Sequence, residues 1–364
     1  MRKTFLKLVP VFAIVIASAS APSATPATVT QGTGPSFQSI GPLAFGPDGI
    51  LYAADTSAAS IVALNLGTAA NAGAPGTKDV AGIDAKIAAM LGTDAAAIRI
   101  TDLAVHPKSR QSYLSVMRGQ GPDAKAALVR VDGAGAVSLV ATDALKFSKI
   151  ALPNPAAPST GRRGGRAESI TDLAFSNGRV YVAGLSNEEF SSKLWSVAYP
   201  FANADRGTSV EIFHTNHNKI ETASPVYAFV PYTADNQPYI IGAYLCTPLV
   251  RFPVSALKAG EKVHGATIAE LGAGNQPIDM IVYKKDGKEF LLMSNTSRGV
   301  MKIPTGDFGT APALTEKVAG TAGVKYDTIA TMTGIEQLDL LDATHSIVIA
   351  KTAAGRDLTA VILP

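Results

Sequence analysis

Cysteine is nearly missing from this 364-residue chain: Cys246 is the only one, so no internal disulfide framework is possible. Stability has to come from a buried core, and a chain of this length can build one. Charge is sparse, with 17% Asp, Glu, Lys and Arg, and no basic stretch is dense enough for a nucleic-acid face. The c-type haem signature C-x-x-C-H, the zinc-protease signature H-E-x-x-H, the P-loop and the G-x-S-x-G elbow are all absent. No apolar run reaches the ~20 residues needed to cross a bilayer as a helix.

The first residues have the three parts of a secretory leader. Arg2, Lys3 and Lys7 form a positive region, Leu8 to Ala17 an apolar one, and "ASASA" a small-residue cleavage region. The expectation is a signal peptide over residues 1–21, cut after Ala19 or after Ala21. One domain over residues 22–364 would follow. The leader carries three basic residues and no acid, so its removal takes the formal charge from +3 to zero. The expected location is periplasmic or extracellular, with no transmembrane anchor after cleavage and no nucleic-acid partner.

What the chain does have is repetition. "TDLAVHPKSRQSYLSV" begins at Thr101 and "TDLAFSNGRVYVAGL" at Thr171. Related phrases begin at Gly41, Pro225, Pro277 and Gly334. Each has an apolar strand, a polar turn, a second strand ending in small or polar residues, and a returning third strand. "PDG", "NG" and "KDG" are hairpin signals. "AVSLVAT", "SVEIFH" and "GATIAEL" supply fourth strands, with "LTEKVAG" as the weaker candidate after the fifth unit. Four antiparallel strands at a period of roughly 40–50 residues predict an all-β fold, a six-bladed β-propeller. Seven blades result if the stretch from Asn65 to Ile100 hides a degenerate one. That stretch instead predicts a helix ending at Gly92, because Ile83, Ile87 and Leu91 recur at helical spacing. The final unit is one strand short, and "ATVTQ" and "SFQSI" near the mature N-terminus are β-prone. The expectation is that this segment closes the last blade. The Pro-, Gly- and Arg-rich stretch from Leu152 to Glu168 predicts a mobile loop.

The first unit resembles an NHL repeat, through Pro42, Ala44, Phe45, the Asp48–Gly49 turn, Leu51, Tyr52, Ala54, Asp55, Ile61 and Val62. That resemblance implies a propeller and no single activity. Among enzymes, the rhythm is similar to gluconolactonase-like six-bladed propellers. These hold a divalent metal at the top of the channel with Glu, Asn and Asp. Where their first ligand sits in a Glu-Gly-Pro phrase, this chain has Ile40-Gly41-Pro42. "NQPIDM", with Asn275 and Asp279, is similar to their Asn-containing phrase. One phrase of several does not carry the catalysis over.

In a propeller, the loops leading into inner strands and the loops after second strands share one face. Here they place Asp102, Asp172, Tyr227, Asp279 and Glu336 with Asp55, Arg118, Ser186, Asn187, Cys246, Thr247, Asn295, Ser297, Arg298 and Lys351. The acids would take a divalent cation in the central channel, or cap backbone amides. Arg118 and Arg298 would clamp an anion or pair with the acids. His214 and His217 stand three apart on the same face, and Cys246 and Glu221 are candidate partners for a transition metal. The leading functional reading is a non-catalytic exported propeller that binds a protein, peptide or envelope glycan. The alternatives are a metal-dependent hydrolase or lactonase in the channel mouth, and a quinone- or metal-linked periplasmic redox protein.

Overall fold

The computed structural model describes Met1 and residues 28–159 and 164–364. The expected signal peptide beyond Met1, and Arg162 and Arg163 of the expected mobile loop, lie outside the described residues. No helix in the described part is long and apolar enough to cross a membrane.

The chain folds as short antiparallel sheets in a propeller-like, all-β arrangement. The tightest turns follow from sequence. Asn177 (φ 50°) and Gly178 (φ 74°) join Asp172–Ser176 to Arg179–Leu185, and Asp286 (φ 51°) and Gly287 (φ 73°) join Pro277–Lys285 to Lys288–Asn295. Both central residues are left-handed, which matches the twist of the flanking strands and favours Asn-Gly and Asp-Gly. Asp235 and Asn236 make a third such turn, between Ala228–Ala234 and Gln237–Ala243.

Six inner strands pack side by side in a closed circuit. In spatial order they are Leu43–Phe45, Asp172–Ser176, Ala228–Ala234, Pro277–Lys285, Ile335–Leu340 and Ile98–Val105, which returns to Leu43–Phe45. Chain order and spatial order therefore differ. The second unit, Ile98–Val105 with Ser112–Arg118, Lys125–Val131 and Val137–Leu139, stands between the last unit and the first. It is inserted between the third strand of the first sheet, Ser60–Asn65, and that sheet's fourth, Lys146–Ala151.

This placement corrects the expected closure. The N-terminal strand Val29–Thr33 pairs with Lys146–Ala151, on the outside of the first sheet, and not with the last sheet. The last sheet keeps three strands among the described residues. Its outer edge, Gly355–Ile362, is covered by the segment before the helix. Val80 exchanges backbone hydrogen bonds with Leu358, Asp79 accepts from Ala360 N–H, and Asp357 accepts from Gly82 N–H. The helix runs from Ile83 to Leu91, as its spacing predicts, and stops at Gly92 (φ 64°). Its Ile83 and Ile87 are fully buried, in a cluster with Ile347, Ile349 and Leu358 of the last sheet. An open edge is thus blunted by a loop and a helix. The weaker fourth-strand candidate in the fifth unit also fails: Leu314 to Gly320 forms no strand, and Asp327–Ile329 pairs with Gly299–Pro304 instead.

The core lies between neighbouring sheets. Tyr52 stacks on Phe175 at 5.3 Å between the first and third units, and Phe45 meets Tyr113 edge-on at 5.3 Å between the first and second. The third and fourth units join into one continuous sheet, because Thr208–His214 pairs in parallel with Lys262–Glu270. That junction fixes the base of the hairpin that carries His214 and His217.

Candidate functional site

Thr208–His214 turns back through residues 215–218 into Lys219–Glu221. The turn is tight: His217 N–H donates to His214 O at 3.2 Å, and Asn218 N–H to Thr215 O at 3.3 Å. It stacks the two imidazoles on one side, with ring centroids 4.0 Å apart. Glu221 lies opposite Ile212, two residues before His214, so its side chain shares that face and reaches the histidines diagonally. One carboxylate oxygen contacts His214 Nδ1 at 2.6 Å and the other contacts His217 Nδ1 at 2.7 Å, while Lys219 Nζ lies 3.0 Å away. Burial alone would raise the Glu221 pKa, but hydrogen bonds from His214, His217 and Lys219 outweigh it and hold it at about 2.

Cys246 arrives from the next unit, at the tip between Gln237–Ala243 and Pro248–Pro253. Cys246 (φ 65°) and Thr247 (φ 56°) are consecutive left-handed residues without being glycine. Such a conformation costs on the order of 1–3 kcal/mol per residue and persists only where surroundings enforce it. Here Cys246 N–H donates to Asn275 O at 2.7 Å, Thr247 N–H to Tyr244 O at 2.8 Å, and Thr247 Oγ1 to Gly272 O at 2.8 Å. The result is that a ring nitrogen of each histidine and the Cys246 Sγ lie within 4.8 Å of one another. Glu221 occupies both Nδ1 atoms, so the Nε2 atoms remain for an ion. His214 is 3% exposed, and its buried Nε2 has no hydrogen-bond partner among the described residues. His217 is 46% exposed, so the cluster opens to solvent on that side. Behind it, fully buried Glu270 accepts from Thr215 Oγ1 at 2.6 Å and anchors the turn. Burial pushes the Glu270 pKa up.

The channel acids do something different. Asp102, Asp172 and Asp279 line a central cavity of ≈ 330 Å³, with Asp339, which sequence reasoning had missed in favour of Glu336. Each carboxylate uses one oxygen on the next backbone N–H of its own strand and the other on the neighbouring inner strand. The second partners are Leu43 for Asp102 (2.6 Å), Phe229 for Asp172 (2.7 Å), Leu338 for Asp279 (2.9 Å) and Val105 for Asp339 (2.6 Å). They clip adjacent units together. Among the described residues the histidine–cysteine group is the one tight cluster of metal-ligand atoms, and the channel acids do not form another. Burial pushes Asp102 up to about 7 and Asp339 to about 6. Asp172 and Asp279 rise well above the usual carboxylate range, through burial and then the charge of Asp102.

The remaining expected residues are dispersed. Asp55 is fully buried and accepts from the backbone of Gln38, Ser39 and Ala58, with Lys149 at 3.4 Å. Arg118 and Arg298 donate to the carbonyls of Gly92 and Ala273, both at 3.2 Å. Asn187 is exposed, and its N–H donates to Asn154 O. Tyr227 OH meets Glu168 at 3.0 Å. Asn295 accepts from Arg298 N–H, Glu336 pairs with Arg356, and Lys351 is exposed. None of these joins the histidine cluster.

No family model matches this chain, and no curated protein does. Solved structures of similar shape include a PQQ-bound aldose sugar dehydrogenase from Streptomyces coelicolor. It is 11% identical, with 94% of this chain and 100% of that chain covered and a TM-score of 0.36. Virginiamycin B lyase from Staphylococcus aureus is 8% identical over 93% and 100% of the two chains, with a TM-score of 0.34. A gluconolactonase from Xanthomonas campestris is 11% identical over 95% and 99%, with a TM-score of 0.31.

Proposed function

We propose that this chain is an exported six-bladed β-propeller that carries a transition-metal centre formed by His214, His217 and Cys246. The six inner strands in one circuit support the blade count, and the N-terminal leader pattern supports export. The observation that carries the metal reading is the buried, unpartnered Nε2 of His214 within a cluster whose other members are a second imidazole and the chain's one thiol. A buried polar atom without a partner is costly, and a metal ion satisfies it.

The donor set selects the ion. Two imidazoles and a thiolate suit zinc or copper, whereas calcium and magnesium prefer oxygen ligands. Glu221 takes the second position common in such sites: it accepts from Nδ1–H of both rings, fixes their tautomer and raises their basicity. Three protein ligands with His217 on the exposed side leave one coordination position reachable from solvent. That opening supports the second reading, a metal-dependent hydrolase, since an open position on zinc is where water or substrate binds.

Cobalt(II) reports the ligands directly. Titrating it into the purified chain should produce a thiolate-to-metal charge-transfer band that is lost in Cys246→Ser. A wild-type chain that shows no such band, while remaining folded by circular dichroism, would contradict the site.

A further inference from the structure

Cys246 is the chain's single cysteine, so the chain holds no second thiol that could close a disulfide with it. It is partly exposed, and it supplies one of three donor atoms that lie within 4.8 Å of one another. Of those donors only the thiolate sits on the peroxide oxidation ladder; the imidazoles of His214 and His217 do not. The donors also come from two units. His214 and His217 belong to the hairpin of the third unit, and Cys246 to a tip of the fourth. Losing the sulfur therefore leaves the cluster with two imidazoles on one hairpin and no donor from the facing tip. An open zinc site is held by three protein ligands, and two fall short of that.

The frame of the site stands without the sulfur. Glu221 holds both Nδ1 atoms, at 2.6 and 2.7 Å. The tip is fixed by Cys246 N–H on Asn275 O, by Thr247 N–H on Tyr244 O and by Thr247 Oγ1 on Gly272 O. Asn275 is itself buried, and its Oδ1 accepts from Ser297 N–H at 2.9 Å. None of these bonds uses Sγ, so chemistry at the sulfur can empty the site and leave its frame in place. We propose that the centre is a peroxide-sensitive switch, an inference that rests on the metal reading: oxidation of the Cys246 thiolate releases the ion, and reduction restores the site. A sulfur lone pair attacks one oxygen of hydrogen peroxide. The S–O bond forms, the O–O bond breaks and hydroxide leaves, so sulfur is oxidised to the sulfenic acid and peroxide is reduced. The metal–sulfur bond breaks and the ion departs. With no second thiol in the chain to condense with, the sulfenic acid waits for an external dithiol. That reductant returns it to the thiol, is itself oxidised to a disulfide, and the oxygen leaves as water.

The test loads the purified full chain with zinc and adds a small excess of hydrogen peroxide. A colorimetric zinc chelator follows release in one sample, and dimedone with mass spectrometry follows the sulfenic acid in another. About one zinc ion per chain should appear in solution, at the rate at which Cys246 gains the dimedone adduct. Circular dichroism should not change. A dithiol, removed before zinc is returned, should restore zinc binding in a sample without dimedone. Zinc that stays bound while Cys246 is oxidised, zinc that leaves while Cys246 remains a thiol, a Cys246 that does not react, or release without recovery would each overturn the switch. A chain that takes up no zinc before peroxide is added would overturn the metal reading itself, and the switch with it.

Discussion

Asp339 accepts the backbone N–H of Val105 at 2.6 Å, although 234 residues separate them. The bond ties the last inner strand to the second unit, so the ring closes through an insertion and not through the chain's ends. Asp339 also accepts from Leu340 N–H at 2.7 Å, so Asp339→Ala leaves two strand amides without their acceptor. The variant should lose about 1–3 kcal/mol of stability by urea denaturation. Glu316→Ala, on an exposed segment, should stay within about 0.5 kcal/mol. Equal effects would deny the clip its role.

Chain-end deletions distinguish the two routes of closure. Removing residues 28–33 takes away an outer strand whose partner, Lys146–Ala151, stays paired to Ser60–Asn65. The melting temperature should fall modestly. Removing residues 79–91 bares the Gly355–Ile362 edge and the apolar surface under Ile83 and Ile87, and should cause severe destabilisation or aggregation. A larger loss from the N-terminal deletion would refute this closure.

The channel acids give stability an acidic bias. Their folded pKa values lie above the unfolded value of about 3.9, so the folded state binds more protons than the unfolded one as pH rises through this range. Their contribution is greatest below about pH 4 and is lost as pH rises toward 6 to 7, where Asp339 and Asp102 ionise. Glu221 and Asp342, both held at about 2, act oppositely and lose their contribution as pH falls from about 4 toward 2. Urea midpoints measured across pH should therefore decline from mildly acidic to neutral pH. Joint replacement of Asp102 and Asp339 by Asn should flatten that decline. A wild-type midpoint that climbs steadily from pH 5 to 8 would contradict the assignment.

Lys193 is buried, 1% exposed, and its Nζ lies 2.8 Å from Glu188. Glu188→Ala leaves that ammonium inside the protein without its counter-charge. A loss of about 3 kcal/mol or more by chemical denaturation is expected. Lys193→Met should be much milder, since it removes the buried charge itself. If the two variants unfold alike, the pair is not the reason Lys193 is tolerated there.

Strand rhythm was legible because alternation and hairpin dipeptides are local: Asn177–Gly178 and Asp286–Gly287 specify their turns without help from the rest of the chain. The order of units around the ring was not, because an inner strand looks the same whichever sheet stands beside it. Long-range contacts such as the Asp339–Val105 and Asp102–Leu43 bonds show where the second unit sits. His214, His217 and Glu221 share one hairpin, so their proximity followed from spacing. Cys246 joins them through a left-handed tip that no local pattern demands. The acids at strand starts suggested a cation channel because the sequence does not show which backbone amides face them. Arg118 was expected at the rim as an anion clamp, but its guanidinium turns to Gly92 O, a partner no local pattern announces.

Elemental analysis of the chain, purified without chelators from its own host, tests the metal centre most directly. The account requires zinc or copper at about one ion per chain, reduced about ten- to a hundredfold in affinity by Glu221→Gln and abolished by Cys246→Ser. Full-length, folded protein with no bound metal, and with Cys246 alkylated equally fast in the presence and absence of added zinc or copper, would contradict it.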